Sequence, residues 1–255
     1  QVGELVKNGK SWDLVFCSDM LNLAEFCGLC GEALSGAAKI AYFHENQLTY
    51  PVRFESERDY QFVMTNMTTA LTADEVWFNS YYHRDSFLDE LAVFLKRMPD
   101  YQPLGQVEQI RAKSQVYRQG IWPIEAPYER RRGPMRILWA GRWEHDKNPD
   151  DFFAAVKLLD ERGVDFELKV VGESFRDVPE VFGWARGYFS EKIASWGYQR
   201  SRADYQRVLC DSDVVVSTAN HEFFGVSVVE AVSAGCLPLL PDRLAYPEIF
   251  GSGID

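Results

Sequence analysis

Short apolar segments alternate with helical ones along almost the whole chain, and this alternation is the feature that most constrains the fold. In the first half, the strand-like segments lie at residues 12–17, 39–43 and 75–78, and the helical ones at residues 21–34, 58–71 and 84–97. The strand-like segments are short and rich in aromatic and β-branched residues, as buried strands are. Because strands joined by helices pair in parallel, the pattern predicts an α/β domain with a parallel sheet.

The same alternation resumes in the second half. Strands are predicted at residues 136–140, 166–171, 214–217 and 237–240, and helices at residues 150–161, 202–210 and 226–234. Asn148 is placed to cap the first of these helices, Pro149 suits its first position, and Gly163 lies just beyond its end. The second half is therefore predicted to be a doubly wound α/β domain.

A proline-rich region separates the two patterns, with prolines at positions 99, 103, 123, 127 and 134. Such a region is typical of a domain boundary. We predict an N-terminal domain at residues 1–122, a linker at 123–134 and a C-terminal domain at 135–255. Two such domains in tandem would face each other across a cleft, with the loops at their strand carboxyl ends carrying the chemistry.

Composition and charge narrow the class of protein. The formal net charge is −11, which argues against nonspecific adhesion to nucleic acid, although the stretch from Lys96 to Arg136 has nine basic and four acidic residues. Five cysteines at irregular positions indicate free thiols and a reducing, cytoplasmic or nuclear, location. Cys27 and Cys30 form one C-x-x-C, better explained by burial than by a metal. No apolar run approaches the roughly 20 residues that span a bilayer, so we expect no membrane association.

The segment from His221 to Glu230 follows an apolar strand and leads into a helix. Glu222 and Glu230 stand on either side of Gly225, at the kind of junction to which α/β folds bind nucleotides. We expect Glu230 to accept hydrogen bonds from a ribose diol and Glu222 to face a sugar hydroxyl. We also expect the backbone amides near Phe224 and Gly225 to point at the bound group. The segment predicts a site for a sugar nucleotide.

A second strand-to-helix loop in the same domain runs from Gly141 to Pro149. Arg142 and Lys147 lie five residues apart in it, beside a helix N-terminus. Cations in this position neutralise a diphosphate without a metal and stabilise a leaving nucleoside diphosphate. Asp211-Ser212-Asp213 looks like a metal-binding D-x-D, but it precedes a strand, at the edge opposite the cleft, so we interpret it as a cap and turn.

In the first domain, residues 43–51 come directly after a predicted strand. His44, Glu45, Asn46 and Gln47 cluster there, and we expect His44 to bind a sugar hydroxyl or to steady charge at the reacting centre. The sequence has no G-x-S-x-G, no G-x-x-x-x-G-K-[ST], no H-E-x-x-H and no G-x-G-x-x-G after the first strand. Serine hydrolases, P-loop proteins, zincins and nicotinamide enzymes are therefore not supported.

These motifs, taken in order, resemble a known family. The ordered set is Gly141-Arg142 with Lys147, Val171-Gly172-Glu173, Trp196-Gly197-Tyr198, Asp213 with its strand, and Glu222 with Glu230. It is similar to the signatures of retaining GT-B glycosyltransferases. Closer motifs are Tyr42 to Pro51, Arg142 to Lys147, His221 to Gly225 and Tyr246 to Phe250. With them, nearly the entire chain resembles the tRNA-queuosine α-mannosyltransferase family.

The resemblance implies a reaction and a set of partners. GDP-mannose would be the donor, and the cyclopentenediol of queuosine in the anticodon of an aspartate tRNA would be the acceptor. The anomeric configuration would be retained, with the leaving phosphate acting as the base, and neither a metal nor a cofactor would be needed. The expected fold is GT-B, with two Rossmann-like domains.

The resemblance also implies roles for residues. Arg142 and Lys147 would hold the diphosphate, Glu230 the ribose, Glu222 and the Phe224-Gly225 backbone the mannose, and His44 the reacting sugar from the other side. Trp196, Gly197 and Tyr198 would flank the base. The remaining implied donor-side residues are Gly141, Gly172, Glu173, Phe223 and Val226, and the implied acceptor-side residues are Glu45, Asn46 and Gln47.

Two departures from the family pattern leave alternatives open. The family begins with a strand and a glycine-rich loop, and this chain begins at a segment that resembles a later part of the family's sequence. It also ends before the helix that crosses back to the first domain. We therefore expect an incomplete N-terminal domain and no crossover helix. The alternatives are a glycosyltransferase with a small-molecule, lipid or polysaccharide acceptor, and a noncatalytic nucleotide-binding module.

Overall fold

The computed structural model describes residues 11–51, 58–125, 132–175 and 177–251, and the chain divides into two compact units. The first unit spans residues 1–119 and the second spans residues 120–255. Ile124 is buried in the core of the second unit, although it lies in the segment expected to be a linker. Residues 126–131 of that segment lie outside the described residues.

The first unit is a four-stranded parallel sheet with helices. Its strands are β1 Leu14–Ser18, β2 Ala38–Phe43, β3 Glu75–Phe78 and β4 Ser114–Val116, in the order β1-β2-β3-β4. Its α-helices are α1 Leu23–Cys30, α2 Tyr60–Thr72, α3 Tyr81–Lys96 and α4 Gly105–Ala112, and a 3₁₀ turn at Gly31–Leu34 follows α1. The parallel α/β architecture expected from the sequence is confirmed for this unit.

Polar caps explain where three of these helices begin. Asn22 accepts a hydrogen bond from the amide of Glu25 before α1, Asp59 caps α2, and Ser80 accepts from the amide of His83 before α3. Each cap satisfies an amide that has no partner within its own helix. The helices pack against one face of the sheet, where the rings of Phe43, Phe78 and Phe87 are fully buried.

The second unit is a five-stranded parallel sheet. Its strands are β5 Met135–Ala140, β6 Phe166–Val171, β7 Ile193–Gly197, β8 Val214–Val216 and β9 Leu237–Leu239. Its helices are α5 Pro149–Glu161, α6 Val181–Tyr188, α7 Arg202–Cys210, α8 Val226–Ser233 and α9 Tyr246–Phe250. The strand order is β7-β6-β5-β8-β9, so the winding direction reverses between β5 and β8. Ligands of open parallel sheets bind at the strand carboxyl ends at such a switch point.

Both faces of this sheet are covered, as a doubly wound fold requires. On β5, Trp139 packs into a cluster with Phe153 and Phe182, while its neighbour Leu138 packs into a second cluster with Val228. Successive side chains of a strand point to opposite faces, so the two clusters lie on opposite sides of the sheet. The prediction of a doubly wound C-terminal domain is confirmed.

An ion-pair network joins β5 and β6 to the segment that precedes β8. The Arg136 side chain, 3% exposed, binds Asp213 at 2.7 Å and also binds Asp211. Lys169 of β6 donates to Asp211 at 2.8 Å. Although burial opposes the charge of Asp211, Lys169 and Arg136 hold its pKa below the usual value. Asp211 and Asp213 thus neutralise two buried cations, which is a structural role.

The structure corrects several details of the sequence-based predictions. Helices α4, α6 and α9 and strands β4 and β7 were not predicted. Asn148 stands at the start of α5, but it adopts a left-handed conformation and its side chain donates to Asp151 at 2.6 Å, so the predicted side-chain cap is wrong. Pro149 at the first helical position and Gly163 just beyond the end, with φ of 70°, are confirmed. No helix within the described ranges is long and apolar enough to cross a membrane.

Candidate functional site

A cavity of about 370 Å³ opens at the carboxyl ends of β5 and β8, at the switch point of the second unit. Its walls come from the loop after β5, the end of β6, helix α7, the loop after β8 and the first turn of α8. The lining residues that the sequence had singled out are Gly141, Arg142, Lys147, Gly172, Glu222 and Val226. Two strand-to-helix loops that are 75 residues apart in sequence therefore meet in one cavity, as predicted.

The floor of the cavity depends on a very close approach of two backbones. A Cβ atom placed on Gly172 would lie 1.7 Å from the carbonyl oxygen of Gly141, and φ of Gly172 is 153°. The amide of Gly141 donates to Val171 at 3.1 Å, and the amide of Trp143 donates to Glu173 at 2.9 Å. Only glycine at position 172 permits this approach, so the loop after β5 is held directly against the end of β6.

Lys147 is the central cation of the cavity. It ends the 3₁₀ turn His145–Lys147, and its ammonium donates to the carbonyl of His221 at 2.8 Å. The carboxylates of Asp146 and Glu222 lie 3.0 and 3.3 Å away. Burial opposes the charge, but Glu222 and Asp146 outweigh it, and the pKa of Lys147 lies above its ordinary value. Lys147 is therefore a fixed positive charge.

Arg142 also lines the cavity but is more accessible than Lys147. Its side chain is 39% exposed, against 13% for Lys147, and its guanidinium lies 3.3 Å from Glu144. The guanidinium remains charged at every physiological pH and offers several donors in one plane. One fixed and one accessible cation in a single cavity suit a diphosphate.

Glu222 holds the start of α8. Its Oε1 accepts from the amide of Gly225 at 3.0 Å and from that of Phe224 at 3.4 Å. The expectation that these two amides point at a ligand is therefore wrong for this structure. Gly225, with φ of 82°, precedes the helix and has no side chain to cap it, so Glu222 supplies the acceptor.

Glu230 lies one turn into α8 and is 9% exposed. Arg202 of α7 lies 3.3 Å from its Oε1. The Tyr205 hydroxyl also hydrogen-bonds Glu230, and burial together with this carboxylate raises the pKa of Tyr205. Tyr205 lines the cavity directly, so Glu230 is presented at its edge in a set orientation.

A second cavity of about 300 Å³ adjoins the first. Gly172 and Tyr205 belong to the walls of both cavities, which makes them neighbours along one groove. The remaining walls come from residues 198–202, between β7 and α7, and from Glu173. Tyr198 is 67% exposed at the rim.

Aromatic residues that were expected to contact a donor take supporting positions instead. Trp196 is partly buried and packs against Trp143, with ring centroids 5.2 Å apart. Phe223 and Phe224 are each 4% exposed, and the Phe223 ring packs against His221. Gly197 accepts from the amide of Gly172 at 3.4 Å. Of the two aromatic residues predicted to flank the base, Tyr198 lines the second cavity and Trp196 does not.

In the first unit, His44 projects from the loop after β2. Its side chain is 55% exposed, its Nδ1 lies 3.5 Å from Asp19, and the Tyr42 ring packs against it at 4.7 Å. Asn46 is fully buried and accepts from the amide and hydroxyl of Thr49, so its amide oxygen shapes the loop.

The neighbours of His44 are less accessible. Glu45 and Gln47 are half-buried, and the amide of Gln47 donates to Asn66 at 2.9 Å. His44 remains accessible to a ligand, whereas Asn46 serves the loop.

Four cavity residues that carry hydroxyl groups were not among the predicted site residues. They are Tyr205, Ser217, Ser227 and Tyr246. The Tyr246 hydroxyl hydrogen-bonds Ser217 at 2.7 Å, and the Ser227 hydroxyl donates to Ala140 at 2.8 Å. A signal existed for Tyr246, which opens one of the close motifs and precedes Pro247 at a helix start. None existed for Tyr205, because its position depends on how α7 packs on α8.

The described part of the chain contains no group of three histidine, cysteine or acidic side chains placed to hold a metal ion. Asp211 and Asp213, the residues of the D-x-D, are engaged with Arg136 and Lys169 at the opposite end of the sheet. Arg142 and Lys147 supply positive charge to the first cavity.

Comparison with solved structures identifies the fold class. TarM matches with a TM-score of 0.70 at 15% identity, over 99% of this chain and 46% of that one. The Thermosynechococcus elongatus sucrose-phosphate synthase matches with a TM-score of 0.65 at 16% identity, over 96% of this chain and 59% of that one. Anabaena HepE, solved with UDP and glucose, has a TM-score of 0.64 at 14% identity, over 97% of this chain and 64% of that one. The fold is GT-B, and the chain spans about half the length of these structures.

Sequence comparison identifies the family. Residues 2–121 match the model of the tRNA-queuosine alpha-mannosyltransferase N-terminal domain, and residues 121–255 match that of glycosyl transferases group 1. The Drosophila melanogaster tRNA-queuosine alpha-mannosyltransferase is 38% identical over 97% of this chain and 68% of its own length. The predicted resemblance is confirmed, and the chain belongs to the tRNA-queuosine alpha-mannosyltransferase family of GT-B glycosyltransferases.

Proposed function

We propose that the chain transfers mannose from GDP-mannose to queuosine in the anticodon of an aspartate tRNA, with retention of configuration. The observation that carries the proposal is the groove at the β5–β8 switch point, which holds Arg142, Lys147 and Glu222 in one cavity beside Glu230. The choice of mannose as the transferred sugar and of queuosine as the acceptor rests on the family, since a relative that is 38% identical is named for that activity.

The diphosphate belongs near Arg142 and Lys147. Breaking the bond between sugar and phosphate leaves negative charge on the departing nucleoside diphosphate. Lys147 is held in place by the His221 carbonyl and two carboxylates, so its charge is preorganised. A preorganised cation stabilises developing charge without reorganising during the reaction. Arg142 adds a planar set of donors from the accessible side.

The ribose and the mannose belong near the two glutamates. Glu230, oriented by Tyr205 and Arg202, offers carboxylate oxygens to the ribose diol. Glu222 is placed for the mannose hydroxyls beside Lys147. His44, exposed in the first unit, is proposed to act on the reacting sugar. The leaving phosphate takes the proton from the acceptor hydroxyl, so the protein needs no separate general base.

The reaction is proposed to need no metal and no cofactor, because Arg142 and Lys147 supply the charge that a divalent ion would otherwise supply. The protein is proposed to act in the cytoplasm or the nucleus, where tRNA and reducing conditions occur. The basic stretch that begins at Lys96 is proposed to contact tRNA phosphates, except for Arg136, which is buried in the ion-pair network; residues 126–131 of the stretch lie outside the described residues.

The test is transfer measured by the mass of the modified nucleoside. The chain is incubated with GDP-mannose and a queuosine-containing aspartate tRNA, with and without EDTA. The tRNA is then digested to nucleosides, which are separated and analysed by mass spectrometry. The same tRNA with guanosine in place of queuosine is the matched control. We expect a gain of one hexose on queuosine alone, with EDTA or without it. No gain on queuosine would contradict the proposed acceptor, and a loss with EDTA would contradict the metal-free reaction.

The net charge of −11 favours one alternative, an acceptor that is a small molecule, a lipid or a polysaccharide. Binding to tRNA distinguishes it. Phosphate contacts release counterions, so tRNA affinity through the basic stretch has to fall steeply with salt. Affinity that does not change with salt would favour the alternative acceptor.

A further inference from the structure

We propose that Glu173 reads the nucleotide base of the donor and makes the site select guanine. This inference rests on the proposed function, because it assigns the base of the same donor. Glu173 lines the second cavity, which adjoins the cavity of Arg142 and Lys147 through the shared walls Gly172 and Tyr205.

The order of groups along the groove indicates where the nucleotide base of the donor would lie. The diphosphate cations Arg142 and Lys147 line the larger cavity. Glu230, the proposed ribose acceptor, is held by Arg202 and Tyr205, and both of these also line the smaller cavity. A nucleoside diphosphate bound through its phosphates and ribose therefore extends its base into the smaller cavity. About 300 Å³ lies within the range of small-molecule sites.

Glu173 is the acidic residue in the wall of that cavity. Its backbone is fixed, because its carbonyl accepts from the amide of Trp143 at 2.9 Å and it follows Gly172, whose position is set by contact with Gly141. The other polar side chains of the wall are those of Tyr198, Gln199, Arg200, Ser201, Arg202 and Tyr205. A carboxylate on a fixed backbone is therefore available at the point where the base enters.

Hydrogen-bond chemistry then decides between bases. Guanine presents two adjacent donors, N1–H and the N2 amino group, which match the two oxygens of one carboxylate. Uracil presents one N–H between two carbonyl oxygens, and these would face the negative charge. Adenine presents its amino group beside an acceptor nitrogen. A carboxylate accepts hydrogen bonds and donates none when ionised, so Glu173 favours guanine over both.

The test compares GDP with IDP, UDP and ADP by isothermal titration calorimetry. Inosine lacks only the N2 amino group, so the ratio of GDP to IDP affinity isolates the second hydrogen bond to Glu173. We expect the native chain to bind GDP about tenfold more tightly than IDP, since hydrogen bonds to charged groups contribute on the order of a tenfold change or more. GDP should exceed UDP by a larger factor.

Two substitutions of Glu173 should change the nucleotide affinities in different ways. Glu173→Ala should bring the GDP to IDP ratio close to one. Glu173→Gln should lower GDP affinity and raise UDP affinity, because a carboxamide offers one donor and one acceptor, which pair with uracil. Glu180→Gln is the matched control, since Glu180 is an exposed acid at the start of α6 and should leave every ratio unchanged.

The outcomes separate this inference from the proposed function. Each ratio is measured on one protein, so a misfolded fraction affects both ligands equally and leaves the ratio intact. A native chain that binds GDP, with a GDP to IDP ratio that Glu173→Ala leaves unchanged, would overturn the role of Glu173 and leave the donor intact. A native chain that prefers UDP, or binds no nucleotide, would instead overturn the proposed donor.

Discussion

Replacing Gly172 with alanine tests the backbone contact beneath the groove. In the native chain the new Cβ would lie 1.7 Å from the carbonyl oxygen of Gly141, and Cβ atoms essentially never approach other atoms closer than 3.0 Å. The side chain cannot rotate away from this contact, because a Cβ position is fixed by the backbone. The loop after β5 and the end of β6 must therefore separate by about 1.3 Å.

The size of the effect follows from the contacts that this separation breaks. It removes the hydrogen bonds from Gly141 to Val171 and from Trp143 to Glu173, each worth about 1 kcal/mol. Alanine at a φ of 153° adds roughly 1–3 kcal/mol of backbone strain. We expect Gly172→Ala to lower the free energy of unfolding by about 3–5 kcal/mol and to weaken GDP binding.

Urea unfolding of the native chain and the variant, followed by tryptophan fluorescence, measures this difference. Gly183→Ala is the matched control, because Gly183 lies inside α6 with open space around it. There the same substitution should stabilise the chain by about 0.5–1 kcal/mol. If Gly172→Ala unfolds at the urea concentration of the native chain, the close approach of Gly141 and Gly172 is wrong.

Three further predictions concern charge. Lys147→Ala should abolish most GDP affinity and lower the free energy of unfolding by about 3 kcal/mol, because two carboxylates lose their cation. Lys157→Ala, at an exposed helical pair, should leave the free energy of unfolding nearly unchanged in the same urea titrations. Burial lowers the pKa of His221 to about 4, so the unfolded chain binds the extra proton first. The free energy of unfolding should therefore keep its full value above about pH 6.5 and fall by up to about 3 kcal/mol towards pH 4. His221→Gln should reduce this loss, and an equal loss in that variant would show that protonation of His221 is not its cause. Asp213→Asn should destabilise the chain by about 3 kcal/mol, since Arg136 is buried, yet calorimetry on the folded variant should show unchanged GDP affinity.

The strand and helix alternation could be predicted wherever an element was long or strongly apolar. Strands β3 and β6 were predicted with the bounds that the structure shows, and α5 with its start one residue away. The segment Ile193–Gly197 was missed because its alanine, serine and glycine have low strand propensity, and its pairing with β6 decides its structure. Helix α4 and strand β4 were missed because they are short and follow the prolines at 99 and 103.

The site was predictable where chemistry follows strand ends. Lys147 and Glu222 both lie in loops that lead from a strand to a helix, so the sequence predicts them at the same edge of the sheet. Tyr205 was not predictable, since it reaches the cavity only through the packing of α7 on α8, which no local pattern records. The sequence predicts Trp196 at the base site together with Tyr198, but Trp196 carries the last side chain of β7 and packs against Trp143, whereas Tyr198 lies in the loop after the strand and is exposed.

The carboxylate of Glu222 has a consequence for how tightly any sugar can be held. Because Gly225 and Phe224 already donate to Glu222, and Lys147 lies beside it, this carboxylate is well supplied with donors before a sugar arrives. An arriving hexose exchanges existing hydrogen bonds for new ones, so its net gain is small compared with that of the charged diphosphate. We therefore expect the nucleotide to provide most of the donor's affinity, and the sugar end to bind weakly until its contacts strengthen in the transition state.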